Sequence, residues 1–365
     1  MRTEIYISEV DEKAEPFVYH EIRLKKKALV AVKYFCLQTD LKLNLKLNLR
    51  ILVALFFLLY GFLFALRNFR KHISDFKGIW ISLFYKINYP IVDIDKINVH
   101  FIGKRLIFAW IRFGGDKLRI VCHANDNYAI TPLNLFILKN VNEINVISNY
   151  AKGQLDAQLR YSRNIRLIRN SYSGQVLKNI NYDFKRCEGL SLCYFGRFVP
   201  MKGLDIFIKE LCDKIDVKIT IDLFGKKTDF LKTSLLCFNS NNVKVNYCGY
   251  IEPDDVTNRM RNYDSLLLPA RVLKNKNGII DLDGIPTVFQ EAMEAGIPVI
   301  TNDIGGIEEI IWHGANGLIM SRLNNISEIC EIIQIKKNMN VDIWVDYFNR
   351  LNILNDKSYG LSGNR

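Results

Sequence analysis

Apolar positions in this chain come in short runs of five to ten residues, broken by polar, Gly- or Pro-marked stretches. Glu4–Ser8 reads as a strand. Residues 15–27 read as a helix with Pro16 in its first turn. Ala28–Leu37, rich in β-branched and aromatic residues, reads as a buried strand. Ile97–Ile102, Leu118–Asp126, Glu143–Ser148 and Asn164–Ile168 follow as strands, with a helix over Leu106–Phe113. The second half is more regular. It predicts strands at Leu190–Phe195, Val217–Phe224, Val243–Gly249, Ser265–Pro269, Pro298–Thr301 and Gly317–Ile319. Helices are predicted at Leu204–Ile215, near 229–238 and 253–262, and at Pro286–Ala295. Strands alternating with helices indicate an α/β fold on parallel sheets, and such sheets bind ligands at the C-terminal ends of their strands.

One run stands apart. Ile51–Leu66 holds 16 residues without a charge, preceded by Lys42, Lys46 and Arg50 and followed by Arg67, Arg70 and Lys71. A membrane-spanning helix needs about 20 apolar residues. A helix docked on a membrane surface is therefore expected, its basic flanks meeting anionic headgroups, with a single span and a plain core helix as alternatives.

The chain has 365 residues, more than one core usually serves, which predicts two domains. The weakest stretch, Asn181–Gly189, is the expected linker, dividing the chain into 1–185 and 186–337. A tail helix over Val341–Leu351 follows, within about 340–355. The net charge of +12 points to an anionic partner. Nucleic acid is not expected, since there is no RNP-like run, paired Cys/His finger or dense basic helix. The eight cysteines form no C-x-x-C pair and the five histidines show no ligand spacing, so reduced thiols and no metal are expected. The charged first 25 residues lack the apolar core of a signal peptide.

Three places carry candidate chemistry. Gly196-Arg197, then Lys202-Gly203, follow a strand and open a helix. Free backbone N–H groups, a helix dipole and two cations there suit a phosphate, although the Walker pattern is absent. Asp283-Gly284-Ile285-Pro286-Thr287 leads into Glu291, eight positions on, across a helix start. Pro286 and an early carboxylate are ordinary helix-start features, but two acids so placed also suit gripping the hydroxyls of a sugar and of a ribose. Asp281-Leu-Asp283 mimics a metal-binding D-x-D, but too few oxygens accompany it to make a divalent site. In the first half, His100, His123 and Asp126 all stand near strand ends.

Together these motifs resemble the retaining GT-B glycosyltransferases of family 4, in particular the branch that builds bacterial exopolysaccharide, capsule or O-antigen. The resemblance rests on Phe195-Gly-Arg…Lys202-Gly, Tyr250-Ile-Glu-Pro, Leu268-Pro269, Asp283-Gly-Ile-Pro…Glu291-Ala-Met-Glu-Ala-Gly-Ile-Pro-Val-Ile, Gly305-Gly-Ile-Glu-Glu-Ile and Gly314-Ala-Asn-Gly-Leu. Looser matches are Glu15-Pro-Phe-Val…Glu21-Ile, His100-Phe101, His123-Ala-Asn-Asp126 and Asn170. Asp283 stands where relatives usually carry Glu.

The resemblance implies two Rossmann-like domains facing across a cleft. The second would bind the donor and the first the acceptor, with the tail helix crossing back onto the first. Gly196, Arg197 and Lys202 would hold the diphosphate. Asp283, Gly284, Ile285, Pro286, Thr287 and Glu291 would hold sugar and ribose, His123 would face the reacting sugar, and His100 and Asp126 would lie on the acceptor side. It further implies a hexosyltransferase using a UDP- or GDP-sugar without metal or other cofactor. The acceptor would be a lipid-linked or other glycan, met from the cytoplasm at the inner face of the membrane. A non-catalytic GT-B subunit and a sugar-nucleotide epimerase-like enzyme are the alternatives.

Overall fold

The computed structural model describes residues 3–8, 18, 21–22, 25–26, 31–36, 41–43, 49–64, 69–87, 94–123, 130–160, 165–169, 189–238, 240–274 and 280–338. These divide into two compact units: one between 3 and 169 with residues 274 and 280, the other between 189 and 273 and from 281 to 338.

The first unit runs β1 (Thr3–Ser8), β2 (Ala31–Cys36), β3 (Leu41–Leu43), α1 (Leu49–Phe64), α2 (Phe69–Phe84), β4 (Tyr85–Ile87), β5 (Lys96–His100), α3 (Lys104–Phe113), β6 (Leu118–Cys122), α4 (Pro132–Lys139), β7 (Glu143–Val146), α5 (Asn149–Leu159) and β8 (Ile165–Leu167). Six of its strands form one parallel sheet in the order β2-β1-β5-β6-β7-β8. β3 and β4 pair separately as an antiparallel ribbon. The order reverses direction between β1 and β5, which makes that pair the switch point of the sheet.

Helices α4 and α5 are each fixed by a side-chain cap. Thr131 accepts from the Asn134 N–H ahead of Pro132, and Ser148 accepts from the Ala151 N–H. Neither was legible beforehand. The buried stripe of α5 is only Ala151, Leu155 and Leu159, too sparse to stand out.

The apolar run forms α1, shifted two residues toward the N-terminus of its predicted span. Ile51, Ala54 and Leu58 are buried in the core of the unit. Phe57 meets Phe136 of α4 with ring centroids 4.8 Å apart. Full burial of Ile51 or Leu58 contributes roughly 1.5–3 kcal/mol. Arg50 anchors the helix start by donating to the Ile111 carbonyl at 3.4 Å. No described helix is long and apolar enough to cross a membrane. The predicted helix over 15–27 is described only at residues 18, 21, 22, 25 and 26, all helical. The tail helix near 340–355, Asn170 and almost all of the predicted linker lie outside the described residues.

The second unit runs β9 (Leu190–Phe195), a 3-10 turn over Pro200–Lys202, α6 (Leu204–Lys214), β10 (Ile219–Phe224), α7 (Asp229–Ser234), β11 (Val243–Gly249), α8 (Pro253–Met260), β12 (Ser265–Leu268), the ribbon strands β13 (Leu273–Lys274) and β14 (Ile280–Asp281), of which Lys274 and Ile280 count with the first unit, α9 (Val288–Ala295), β15 (Val299–Thr301), β16 (Gly317–Ile319) and α10 (Ile332–Asn338). Its sheet is again six-stranded and parallel, in the order β11-β10-β9-β12-β15-β16. From β9 the chain winds outward through β10 and β11, then returns to β12 on the other side. The switch point therefore lies between β9 and β12. Every predicted strand of this half is present; α9 starts at Val288 rather than Pro286, because Thr287 occupies the cap position.

Candidate active site

At the switch point of the second unit, the loop leaving β9 meets the loop leaving β12. Gly203 closes the 3-10 turn at φ 70 and opens α6. A Cβ there would stand 2.1 Å from the Pro269 carbonyl oxygen, so only glycine lets the two loops approach this closely. Arg271 clamps the turn from the β12 side. Its Nε donates to the Pro200 carbonyl at 2.7 Å and its Nη2 reaches Asp205 at 3.2 Å. The Tyr194 hydroxyl donates to the Arg197 carbonyl at 2.6 Å, fixing the start of the same loop. Gly196 and Arg197 themselves are exposed.

Two of the residues singled out in the sequence meet here although 81 positions separate them. Lys202 Nζ donates to Asp283 Oδ2 at 2.6 Å, with both side chains mostly shielded from solvent. Gly305, at φ 60, packs on this place. A Cβ on it would lie 2.2 Å from the Asp283 carbonyl oxygen, so the Gly305-Gly306 turn holds the Asp283 backbone. Burial, then the Asp283 carboxylate, push the Tyr194 phenol up, and the Arg197 guanidinium opposes them. Phenol, cation and carboxylate are thus one electrostatic group. Breaking a shielded pair leaves its partner desolvated and uncompensated. Asp283→Ala is expected to lower the free energy of unfolding by about 1–3 kcal/mol, with Asp283→Glu restoring most of it. Urea denaturation reads this directly, and equal stability in all three proteins would show that the pair carries no energy.

Thr287 holds the N-cap position of α9 without a side-chain cap bond, its carbonyl accepting from the Gln290 N–H at 2.9 Å, and Phe289 N–H donates to the Pro286 carbonyl at 3.2 Å. Gly284, Pro286 and Thr287 are half-buried and Ile285 is buried. Glu291, in the first turn of α9, is only 7% exposed. Burial, then the charge of Glu294, push its carboxyl up to about 7. Glu294 itself accepts from the Thr257 hydroxyl at 3.0 Å. An acid held in an apolar surrounding beside another acid is costly to the fold, a mark of a group kept for binding or chemistry.

In the first unit, His100 ends β5 and His123 follows β6, beside the switch point of that sheet. Both are buried, and His100 Nδ1 lies 3.3 Å from His123 Nε2. Asp126 falls outside the described residues. Among the described residues no group of three or more His, Cys, Asp and Glu could hold a metal ion.

Sequence reasoning missed Tyr194 and Arg271 as members of these clusters. Arg271 could have been flagged, since it follows Leu268-Pro269 at a strand end. Tyr194 gave no signal, because its partners are set by the fold of the loop after β9.

Residues 185–339 match the family model described as "Glycosyl transferases group 1". An uncharacterized glycosyltransferase of Methanocaldococcus jannaschii is 28% identical over 279 residues, covering 72% of this chain and 72% of that protein. A GDP-mannose-dependent monoacylated alpha-(1-6)-phosphatidylinositol monomannoside mannosyltransferase of Corynebacterium glutamicum is 32% identical over 140 residues, 37% of this chain and 35% of that protein. Among solved structures, Anabaena HepE in complex with UDP and glucose matches with a TM-score of 0.61 at 16% identity, covering 99% of this chain and all of that one. At that identity the likeness shows the fold. The chain has the two-sheet α/β fold of the GT-B glycosyltransferases, and its residues 185–339 are similar to the glycosyl transferases group 1 family.

Proposed function

We propose that this protein transfers a hexosyl group from a UDP- or GDP-sugar to a lipid-linked or other glycan acceptor, with retention of configuration and without a metal ion. The observation that carries this reading is the Lys202–Asp283 contact at the switch point of the second unit, where the cationic β9 loop and the loop before α9 converge. When the bond from the sugar's anomeric carbon to the diphosphate breaks, negative charge develops on the departing phosphate oxygen. Arg197, Lys202 and the N-terminus of α6 stabilise it from fixed positions. Asp283 takes hydroxyls of the sugar, with Gly284, Ile285, Pro286 and Thr287 shaping its surroundings, and Glu291 takes those of the ribose. His123 accepts a hydroxyl of the transferred sugar. HepE was solved with UDP, and the mannosyltransferase uses GDP-mannose on a lipid, which supports both nucleotide options and a lipid-borne acceptor.

Assembly of bacterial surface polysaccharide at the inner face of the membrane completes the reading. On α1, Leu52, Phe56 and Leu59 are 55%, 65% and 63% exposed at spacings that share one face. On α2, Phe76 and Trp80 are also exposed, with ring centroids 5.8 Å apart. Exposed Arg50 and Lys77 lie on the same helices. Apolar rows with basic neighbours suit an anionic lipid surface. The Phe56→Ser/Leu59→Ser double variant is expected to lower co-sedimentation with phosphatidylglycerol vesicles by at least about 10-fold, since each lost side chain removes on the order of 1 kcal/mol or more of apolar burial. Wild-type protein that does not sediment with such vesicles at low salt would sink the membrane part of the proposal.

A non-catalytic nucleotide-binding subunit is the second reading. The observation favouring it is that Asp283 already occupies Lys202 and competes with a diphosphate for it. Nucleotide-sugar binding without release of free nucleotide, in the presence of lipid acceptor extract, would select it.

A further inference from the structure

Three loops meet at the switch point of the second unit, and two side chains tie them in sequence. Asn302, half-buried just past β15, donates through Nδ2 to the Pro269 carbonyl at 3.1 Å and to the Ala270 carbonyl at 3.0 Å. One amide nitrogen reaches two consecutive carbonyls because the chain turns sharply there. The Ala270 N–H donates to the Leu268 carbonyl at 2.8 Å, a three-residue γ-turn centred on Pro269. Asn302 thus spends both amide hydrogens on the end of β12.

Arg271, the next residue, passes this restraint to the loop after β9. Its backbone N–H donates to the Met201 carbonyl at 2.9 Å, and its Nε to the Pro200 carbonyl at 2.7 Å. The Pro200 carbonyl also accepts from the Gly203 N–H at 3.1 Å, so both of its lone pairs are used. The two residues before Lys202 are held by Arg271, as the two residues before Arg271 are held by Asn302. On the far side of Lys202, Gly203 packs so closely on the Pro269 carbonyl oxygen that a Cβ would stand 2.1 Å from it.

Charge gives Arg271 the same role. Its Nη2 lies 3.2 Å from Asp205 Oδ2, in the first turn of α6. The two charges offset each other. Arg271 therefore supplies less a cation for a ligand than a planar fork, which fixes a carbonyl and a carboxylate at once. It also offsets a carboxylate that would compete with a bound anion for the N-terminus of α6.

We infer that Asn302 and Arg271 are positioning residues, which fix the backbone on either side of Lys202 and so set its ammonium where a diphosphate is bound. This role rests on the donor site proposed above at the same switch point. It requires neither residue to touch the donor.

Titration calorimetry of the full chain with UDP, GDP, UMP and GMP tests it. Wild type should bind one nucleoside diphosphate at least about 10-fold tighter than the matching monophosphate, through charge-assisted bonds to the second phosphate. Arg271→Lys keeps a charge beside Asp205 but loses the fork. Asn302→Ala removes both amide donors. Each should lower diphosphate affinity by about 10-fold and leave monophosphate affinity within about two-fold, which erases the preference. If Asn302→Ala does not fold, Arg271→Lys alone decides. Equal loss of both ligands would show a merely structural role and overturn the inference. A preference that survives undiminished in Arg271→Lys would also overturn it, while leaving the donor site standing. Wild type without any preference for a diphosphate would refute the donor site itself, and the positioning role with it.

Discussion

Lys202→Ala and Arg197→Ala are each expected to lower turnover of the accepted nucleotide-sugar by about 10²–10³-fold, the usual effect of removing one fixed group that stabilises developing negative charge. Lys202→Ala should be the worse of the two. It removes a cation and also leaves Asp283, 2.6 Å from the lost ammonium, to repel the diphosphate. The double variant Lys202→Ala/Asp283→Asn should therefore regain part of the donor affinity that Lys202→Ala loses, even though sugar contacts at Asp283 are weakened. Steady-state kinetics of wild type, Lys202→Ala, Asp283→Asn and the double variant measure this coupling. Strictly additive losses would show that the pair seen in the ligand-free protein has no bearing on donor use. Arg197 is exposed and its backbone is held by Tyr194, so Arg197→Ala should leave the melting temperature nearly unchanged.

Glu291→Gln is expected to make the protein harder to unfold and poorer at binding its donor. The folded protein holds the Glu291 proton more tightly than the unfolded chain, since burial and then Glu294 push its carboxyl from 4.5 up to about 7. A group raised in the fold contributes fully below its unfolded value, and that contribution is lost as pH rises through the folded value. The loss develops between about pH 4.5 and 7 and amounts to about 3 kcal/mol, from 1.36 kcal/mol per pKa unit. Glutamine has no proton to lose. Relative to wild type, Glu291→Gln should gain up to about 3 kcal/mol at pH 8 and almost nothing at pH 4.5. Donor binding should behave in the opposite way. A carboxylate accepts two ribose hydroxyls, so wild-type affinity should rise from pH 6 to pH 8, while that of Glu291→Gln stays low and flat. Urea denaturation and titration calorimetry at three pH values test both halves. A variant that is less stable than wild type at pH 8 would show that the acid is not carried at a cost to the fold.

How much of this was legible in the sequence depends on how local the determinants were. Strands β9–β12, β15 and β16 announced themselves as apolar runs closed by Gly or Pro. The motif from Asp283 to Gly306 displayed its loop, helix, strand and turn within 24 residues. Helix α2 was hidden because Arg70, Lys71, Asp75 and Lys77 interrupt its apolar positions, and α5 because its buried stripe is three residues deep. Helix α1 was recognised as apolar, but which of its faces packs inward depends on α4, which the sequence did not reveal. The contacts that make the sites were the least legible. Lys202 reaches Asp283 only because β9 and β12 are neighbours, and His100 reaches His123 only because β5 and β6 are. Strand order is a property of the whole sheet. No spacing within either motif encodes it.

The buried carboxylates also show why composition alone misleads. A net charge of +12 suggests a cationic surface, and the phosphate-binding proposal uses two of those cations. Others are spent inside the first unit. Lys25 pairs with Glu4 at 2.9 Å, and Arg119 bridges Glu21 and Glu143. Such buried pairs contribute little net stability but fix which strands and rings lie together. Here they hold the histidine pair at the end of β5 and β6.

The most direct test of the account is a thermal-shift screen of the purified protein against a panel of UDP-, GDP- and other nucleotide-sugars, with released nucleotide measured in the same samples. The account predicts that one nucleotide-sugar raises the melting temperature selectively, that free nucleotide accumulates slowly with that compound, and that Lys202→Ala abolishes both effects. No shift with any nucleotide-sugar, or a shift that persists undiminished in Lys202→Ala, would contradict the assignment of the donor site to the switch point of the second unit.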